Sequence, residues 1–237
     1  MLLVGSRSYR IFGWVPPASA YPTLAGIEAG IEADTPFAMT REDPAGCLQR
    51  QLCGSARRWD MDTKLILPPG AAADDAATPL RFTRPFKCTF FCLARPVVYV
   101  WWGEYVIAEI VSPFNCCEWR FEVGPPTSFP ERERVHPEMA SAEPGMWYSV
   151  HAHMYTCGLV APCCAAQAPF PICAGSRSGE RVGTIARVWS GWCKEGCTNA
   201  TNFSIAFPDG ALPMQKASLL ACTMLIDFLI CEEQNNE

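Results

Sequence analysis

The sequence predicts a mainly β protein that ends in a single apolar helix. Three observations carry this. From about residue 80 onward, apolar and polar residues alternate in short runs. Glycines and prolines separate those runs, as in a protein of many short strands. Residues 213–231 then break the pattern with one apolar stretch of helical length.

Residues 1–35 contain Pro16-Pro17 and Ala/Gly-rich stretches with no sustained period. They read as a flexible leader with a short helical turn near 24–31. Residues 36–60 carry Phe37, Cys47, Cys53 and Trp59 among charges, and Pro68, Pro69 and Gly70 mark a surface loop over 68–79. Val98, Val100 and Trp102 share one strand face. Trp119, Phe121 and Val123 alternate with Glu118, Arg120 and Glu122, the pattern of a half-buried strand. Met146, Tyr148, Val150, Ala152 and Met154 alternate again, as do Phe203, Ile205 and Phe207. A faint repeat relates residues 106–110 to residues 181–185, each preceding a cysteine-containing turn and then a strand.

Pro213 suits the first turn of a helix. Leu220, Met224, Leu225 and Phe228 follow, with Lys216 near one end and Asp227 near the other. Residues 214–230 as a helix extend roughly 26 Å, and a membrane span takes about 20 mostly apolar residues. A core helix and a span both fit.

The chain has 237 residues, a net charge of -5 and 14 cysteines, with 49% hydrophobic and 18% charged residues. That apolar content argues against disorder, and the acidic balance argues against dedicated nucleic-acid binding. So many cysteines suggest a disulfide scaffold, which needs an exported protein. The first residues are apolar for only a short run before Ser6, Arg7, Ser8 and Arg10, without the longer core of a signal peptide. The sequons at Asn199 and Asn202 are therefore set aside. In a reducing compartment the thiols are buried small hydrophobes, metal ligands or lipid attachment sites. Cys88/Cys92 and Cys193/Cys197 are each four apart, but no Cys-x-x-Cys exists for zinc. His151 and His153 share a strand face and read as solvent-facing. No nucleophile elbow is present.

Several motifs resemble the phospholipid scramblase family of the tubby-like superfamily. They are Arg84-Pro85-Phe86-Lys87-Cys88, the run from Ser112 through Cys116-Cys117 to Val123, Val182-Gly183-Thr184-Ile185, Trp189-Ser190-Gly191, the stretch 198–208, and Leu225-Ile226-Asp227-Phe228. The resemblance covers about 36–232. It implies a domain over 36–232 with a helix at 213–231, followed by a polar tail at 233–237. The fold it implies is a closed antiparallel barrel of about 12 strands around the hydrophobic helix.

The implied activity is bidirectional movement of phospholipids between leaflets, without bond chemistry and so without catalytic residues. The family's calcium segment maps onto residues 199–210, placing ligand-like positions at Asn199, Thr201, Phe203, Ile205, Phe207 and Gly210, with Asp209 alongside. Calcium takes oxygen ligands, mostly carboxylates, so any binding is expected to be weak. The family's palmitate-bearing cysteines reduce here to Cys88 and Cys92. Arg81, Arg84, Lys87 and Arg95 surround them, within a basic stretch (41–95) that precedes an acidic one (96–145). Two acyl chains, or one with basic residues, suffice for anchoring. Cys116, Cys117, Cys163, Cys164 and Cys222 are expected to be structural. The resulting expectation is a scramblase-like protein on the cytoplasmic face of a membrane, the plasma membrane foremost, with the bilayer, protein partners or a second copy as partners. The alternative is a non-transporting lipid- or protein-binding adaptor on the same barrel. A secreted cysteine-rich glycoprotein is a third reading.

Overall fold

The computed structural model describes residues 8–11, 38–42, 58–65, 80–86, 95–142, 145–156, 167–188 and 202–231. Within these residues an eleven-stranded antiparallel sheet runs in strict sequence order. Its strands are β1 (Ser8–Ile11), β2 (Ala38–Glu42), β3 (Trp59–Leu65), β4 (Leu80–Arg84), β5 (Val97–Trp102), β6 (Tyr105–Val111), β7 (Glu118–Gly124), β8 (Tyr148–His153), β9 (Gln167–Ala174), β10 (Arg181–Val188) and β11 (Asn202–Ala206). The mainly β expectation therefore holds. The sheet also begins earlier than expected, because β1 lies within the assigned leader and pairs with β2. A four-residue strand is too short to show a period.

The helix runs over Pro213–Ile226 and continues as a π-helical turn over Asp227–Cys231. Pro213 occupies its first turn. Gln215 accepts the Leu212 amide at 2.9 Å and the Tyr148 hydroxyl at 3.2 Å, which fixes the helix start to β8. Gly210 (φ 70) makes the preceding turn in a backbone conformation that side chains disfavour. The stretch Pro213–Ile230 is long and apolar enough to cross a membrane, yet 72% of it is buried inside the protein. A helix apolar on every side needs cover all round, and here the sheet supplies it. Helix residues Leu219, Ala221, Cys222, Leu225 and Phe228 share one core with Trp59 and Met61 (β3), Phe82 (β4), Val98 and Val100 (β5), Ile110 (β6), Phe121 (β7), Val150 (β8), Phe170 (β9) and Ile185 (β10). Strands β5, β6 and β7 make the most extensive contact with the helix.

β5 is buried on both faces. Val98 and Val100 face the helix, while Val97, Tyr99 and Trp101 join Val106, Phe129 and Val135 in a second core. The segment between β7 and β8 covers that outer face, with a 3-10 turn at Arg132–Arg134 and a short helix at Pro137–Ala140. Glu109 pins it, accepting hydrogen bonds from Thr127 Oγ1 (2.8 Å), the Ser128 amide (2.9 Å) and Ser128 Oγ (2.7 Å). Phe129 then meets Tyr99 and Trp101 edge-on, at 4.9 and 5.4 Å between ring centres.

Candidate functional site

In an antiparallel meander every connection lies at one of two ends. β4, β6, β8 and β10 finish, and β5, β7, β9 and β11 begin, at what is here termed the rim. The helix finishes there too, because Phe228 stacks on Trp59, the first residue of β3, at 5.0 Å. Of the described cysteines, Cys116 and Cys117 lie at the rim, in the connection before β7. In sequence, Cys47, Cys53, Cys88, Cys92, Cys157, Cys163, Cys164, Cys193 and Cys197 fall between β2 and β3, β4 and β5, β8 and β9, or β10 and β11, and all nine lie outside the described residues.

Among the described thiols, Cys173 and Cys222 are buried, but Cys116 and Cys117 are exposed. This corrects the expectation that the adjacent pair is buried structure. The pair sits in the turn before β7, where no described element packs over it. Asn115 shapes the turn: its Oδ1 accepts the Cys117 amide at 3.0 Å and its Nδ2 donates to Glu118 at 3.1 Å. The two sulfurs lie 3.4 Å apart. Their mutual hydrogen bond, then their mutual repulsion when ionised, hold the Cys117 thiol above its ordinary value, so it is not an activated nucleophile. Burial pushes the Cys222 thiol up strongly.

The sheet loosens at the rim. β6 pairs with β7 only from Glu109↔Gly124 to Val111↔Glu122, and β8 with β9 only from Tyr148↔Ala174 to Val150↔Ile172. β7 and β8 pair with each other along their full length, Glu118↔His153 to Val123↔Tyr148. Pro169 and Pro171 in β9 lack the amide hydrogens that a longer ladder with β8 would use. The rim half of β7–β8 is thus a two-stranded ribbon paired only to itself among the described residues. Its inner face carries Trp119, Phe121, Val150 and Ala152 against the core. Its outer face carries Glu118, Arg120, His151 and His153, with Arg177 bridging to Glu118 at 2.9 Å and Arg120 to Glu122 at 2.8 Å. Burial lowers the His151 value, with Glu118 opposing and Arg177 and Arg120 assisting. The Met154 amide donates to the Cys117 carbonyl at 3.2 Å, so the exposed Tyr155 stands beside the cysteine pair.

The basic surround of Cys88 and Cys92 is also different from expectation. Arg84 is only 1% exposed, because strand alternation places it on the same inward face as Leu80 and Phe82. Arg81 lies over the Trp101 ring at 5.0 Å. Arg95 donates to the Ser112 carbonyl at 2.9 Å and lies over Phe114 at 5.9 Å. Lys87 lies outside the described residues.

In the calcium-like segment, Asn199 and Thr201 lie outside the described residues. Phe203, Ile205 and Phe207 are partly buried against the main core, and Phe203 and Ile205 belong to β11, paired to Arg187 and Ile185 of β10. Asp209 is exposed, beside Gly210. Gly183 lets β11 approach, since a side chain there would meet the Ala206 carbonyl at 2.5 Å. No group of three or more His, Cys, Asp or Glu side chains gathers among the described residues. In the helix, Leu220 and Lys216 are partly buried near its start, whereas Met224, Leu225, Asp227 and Phe228 are buried towards the rim.

Sequence reasoning singled out the helix and β11 correctly as elements. It did not find the ribbon, Phe114 or Tyr155. The two prolines of β9 were the one signal in the sequence for the loosened pairing.

Among the described residues, fold and rim define a β-sheet domain that shares its core with an apolar helix and exposes a cysteine pair at one end. Residues 150–233, from β8 through the helix, match the family model named Scramblase. Phospholipid scramblase 1 of Mus musculus and that of Rattus norvegicus are each 43% identical over 56 residues, covering 24% of this chain and 17% of the relative. The carboxyl-terminal part of the chain is thus similar to phospholipid scramblases. The aligned stretch spans less than a fifth of the curated relatives' length. No solved structure matches the chain.

Proposed function

We propose that this chain is a membrane-associated, scramblase-like protein that lets phospholipids move in both directions between leaflets without bond chemistry. The observation that carries the reading is the match over residues 150–233, which takes in the helix and strands β8 to β11 that pack on it. In this proposal the sheet closes into a barrel, with β1 and β11 brought together around the helix and a strand count near 12. Cys88 and Cys92 accept palmitate and hold the protein at the cytoplasmic face of the plasma membrane. Calcium acts weakly at residues 199–210, because Phe203, Ile205 and Phe207 offer no side-chain oxygen and Asp209 is the one carboxylate. Protein partners or a second copy complete any lipid path.

The test is leaflet exchange of a fluorescent phospholipid in liposomes carrying the full chain, with and without calcium. Exchange above the protein-free rate supports the proposal. Exchange at the protein-free rate in both conditions refutes it.

One observation favours a second reading, an adaptor that binds lipid or protein without transporting lipid. The helix is mostly enclosed by protein, and a polar headgroup crossing hydrocarbon needs a polar path. Vesicle binding without exchange selects this reading.

A further inference from the structure

Large apolar side chains are exposed at both ends of the sheet, but not equally. Phe86, Phe114 and Tyr155 stand at the rim, and Tyr105 and Leu212 at the opposite end. Arg95, Phe114, the cysteine pair and Tyr155 adjoin one another, with Phe86 on the neighbouring connection. Phe86 follows β4, and Arg95, which precedes the neighbouring β5, lies over Phe114. Phe114 leads into the exposed Cys116-Cys117 pair, and the Cys117 carbonyl holds the Met154 amide beside Tyr155, which is 81% exposed. A free thiol behaves as a small apolar group, so Phe114, Cys116, Cys117 and Tyr155 make this row mostly apolar. Its polar groups are Asn115, whose amide is turned to Cys117 and Glu118, the Tyr155 hydroxyl and the Arg95 guanidinium, and the last two belong to side chains that sit between hydrocarbon and water.

We propose that this rim, led by Phe114, Cys116, Cys117 and Tyr155 at the tip of the β7–β8 ribbon, is a docking surface that inserts into the headgroup region of a phospholipid bilayer. The proposal rests on the membrane reading above and adds the surface that makes the contact. Two features select a bilayer over a protein. The apolar side chains stand on separate connections, so a fluid interface can fill the gaps between them where a rigid partner would leave voids. Among the described residues the rim half of the ribbon is also unpaired along both sides, which leaves backbone groups that hydrocarbon would not satisfy. That limits insertion to the wet interface and excludes a span. Arg95 beside Phe114 sits where anionic headgroups would lie.

The experiment compares partition of the full chain onto phosphatidylcholine–phosphatidylserine vesicles. The rim variant is Phe114→Ser with Tyr155→Ser, and the control, at the opposite end, is Tyr105→Ser with Leu212→Ser. The rim variant is expected to bind on the order of tenfold more weakly, with the control unchanged. A second readout does not depend on those variants. In the unmodified chain, vesicles should protect Cys116 and Cys117 from a water-soluble maleimide, as mapped by peptide mass spectrometry. Equal partition of the rim variant and wild type, equal loss in both variants, or unprotected thiols on bound protein overturns the docking surface. A rim variant that changes the sedimentation coefficient while binding vesicles normally shows a protein–protein interface instead, and also overturns it. If wild type binds vesicles and exchanges lipid while the rim variant behaves identically, only the docking surface falls. If wild type neither binds nor exchanges lipid, the membrane reading falls with it.

Discussion

The helix Pro213–Ile226 and the turn that holds Phe114, Cys116 and Cys117 are both apolar, yet one is the centre of the protein and the other its most open edge. The helix is continuous, and its N-terminus is tied to β8 through Gln215, so it shares one core with residues from strands β3 to β10. The turn lies beyond the ends of β6 and β7, where the ladder to neighbouring strands has already stopped. Apolar composition therefore does not decide burial. What decides it is whether the topology brings other elements over the same residues.

Substitutions that treat the two regions alike break or sharpen this contrast. Phe228 is fully buried and stacked on Trp59. Phe228→Ala should cost about 3–5 kcal/mol in urea unfolding, whereas Phe114→Ala should stay within about 0.5 kcal/mol. Equal costs would mean that the turn is as enclosed as the helix. Glu109→Ala comes next. It removes three hydrogen bonds to Thr127 and Ser128 and should cost about 1–3 kcal/mol. Limited proteolysis should then cut within 125–140 before anywhere in the β7–β8 ribbon.

Serine substitution tests the thiols in the same way. Cys222→Ser places a hydroxyl in the apolar core and should cost about 1–3 kcal/mol, while Cys116→Ser should be near neutral. The same difference should appear as native-state alkylation, fast at Cys116 and absent at Cys222 until unfolding.

The smallest effect concerns pH. Burial holds His151 below its ordinary value of 6.5, so the unfolded chain takes up this proton more readily. The contribution of the neutral imidazole is complete above pH 6.5 and is lost as the pH falls through that value towards the depressed one. Melting temperature measured from pH 7.5 to 5.5 should drop more in wild type than in His151→Asn. Parallel curves would show that His151 is not desolvated.

Much of the fold was legible because period two and helical length are local properties. The strands containing Phe121, Val150 and Ile205, and the helix from Pro213, stand where the alternation and the apolar stretch place them. The second face of β5 was not read, although Val97, Tyr99 and Trp101 are as apolar as Val98 and Val100. An unbroken apolar run implies cover on both sides. Less of the candidate site could be read. Arg84 looked like part of a basic surface, and only its place in the Leu80–Phe82–Arg84 alternation turned it inward.

The sequence by itself determined that this chain is mainly β, that it has an apolar helix after its last strand, and that its carboxyl-terminal part resembles phospholipid scramblases. These depend on residues near one another in the chain. Tertiary structure decided that the helix is mostly buried in a core shared with the sheet, that Cys116 and Cys117 face solvent while Cys222 does not, and that Arg84 turns inward. Each of these depends on strand order and register, which bring distant residues together or leave them apart, and no local pattern records that.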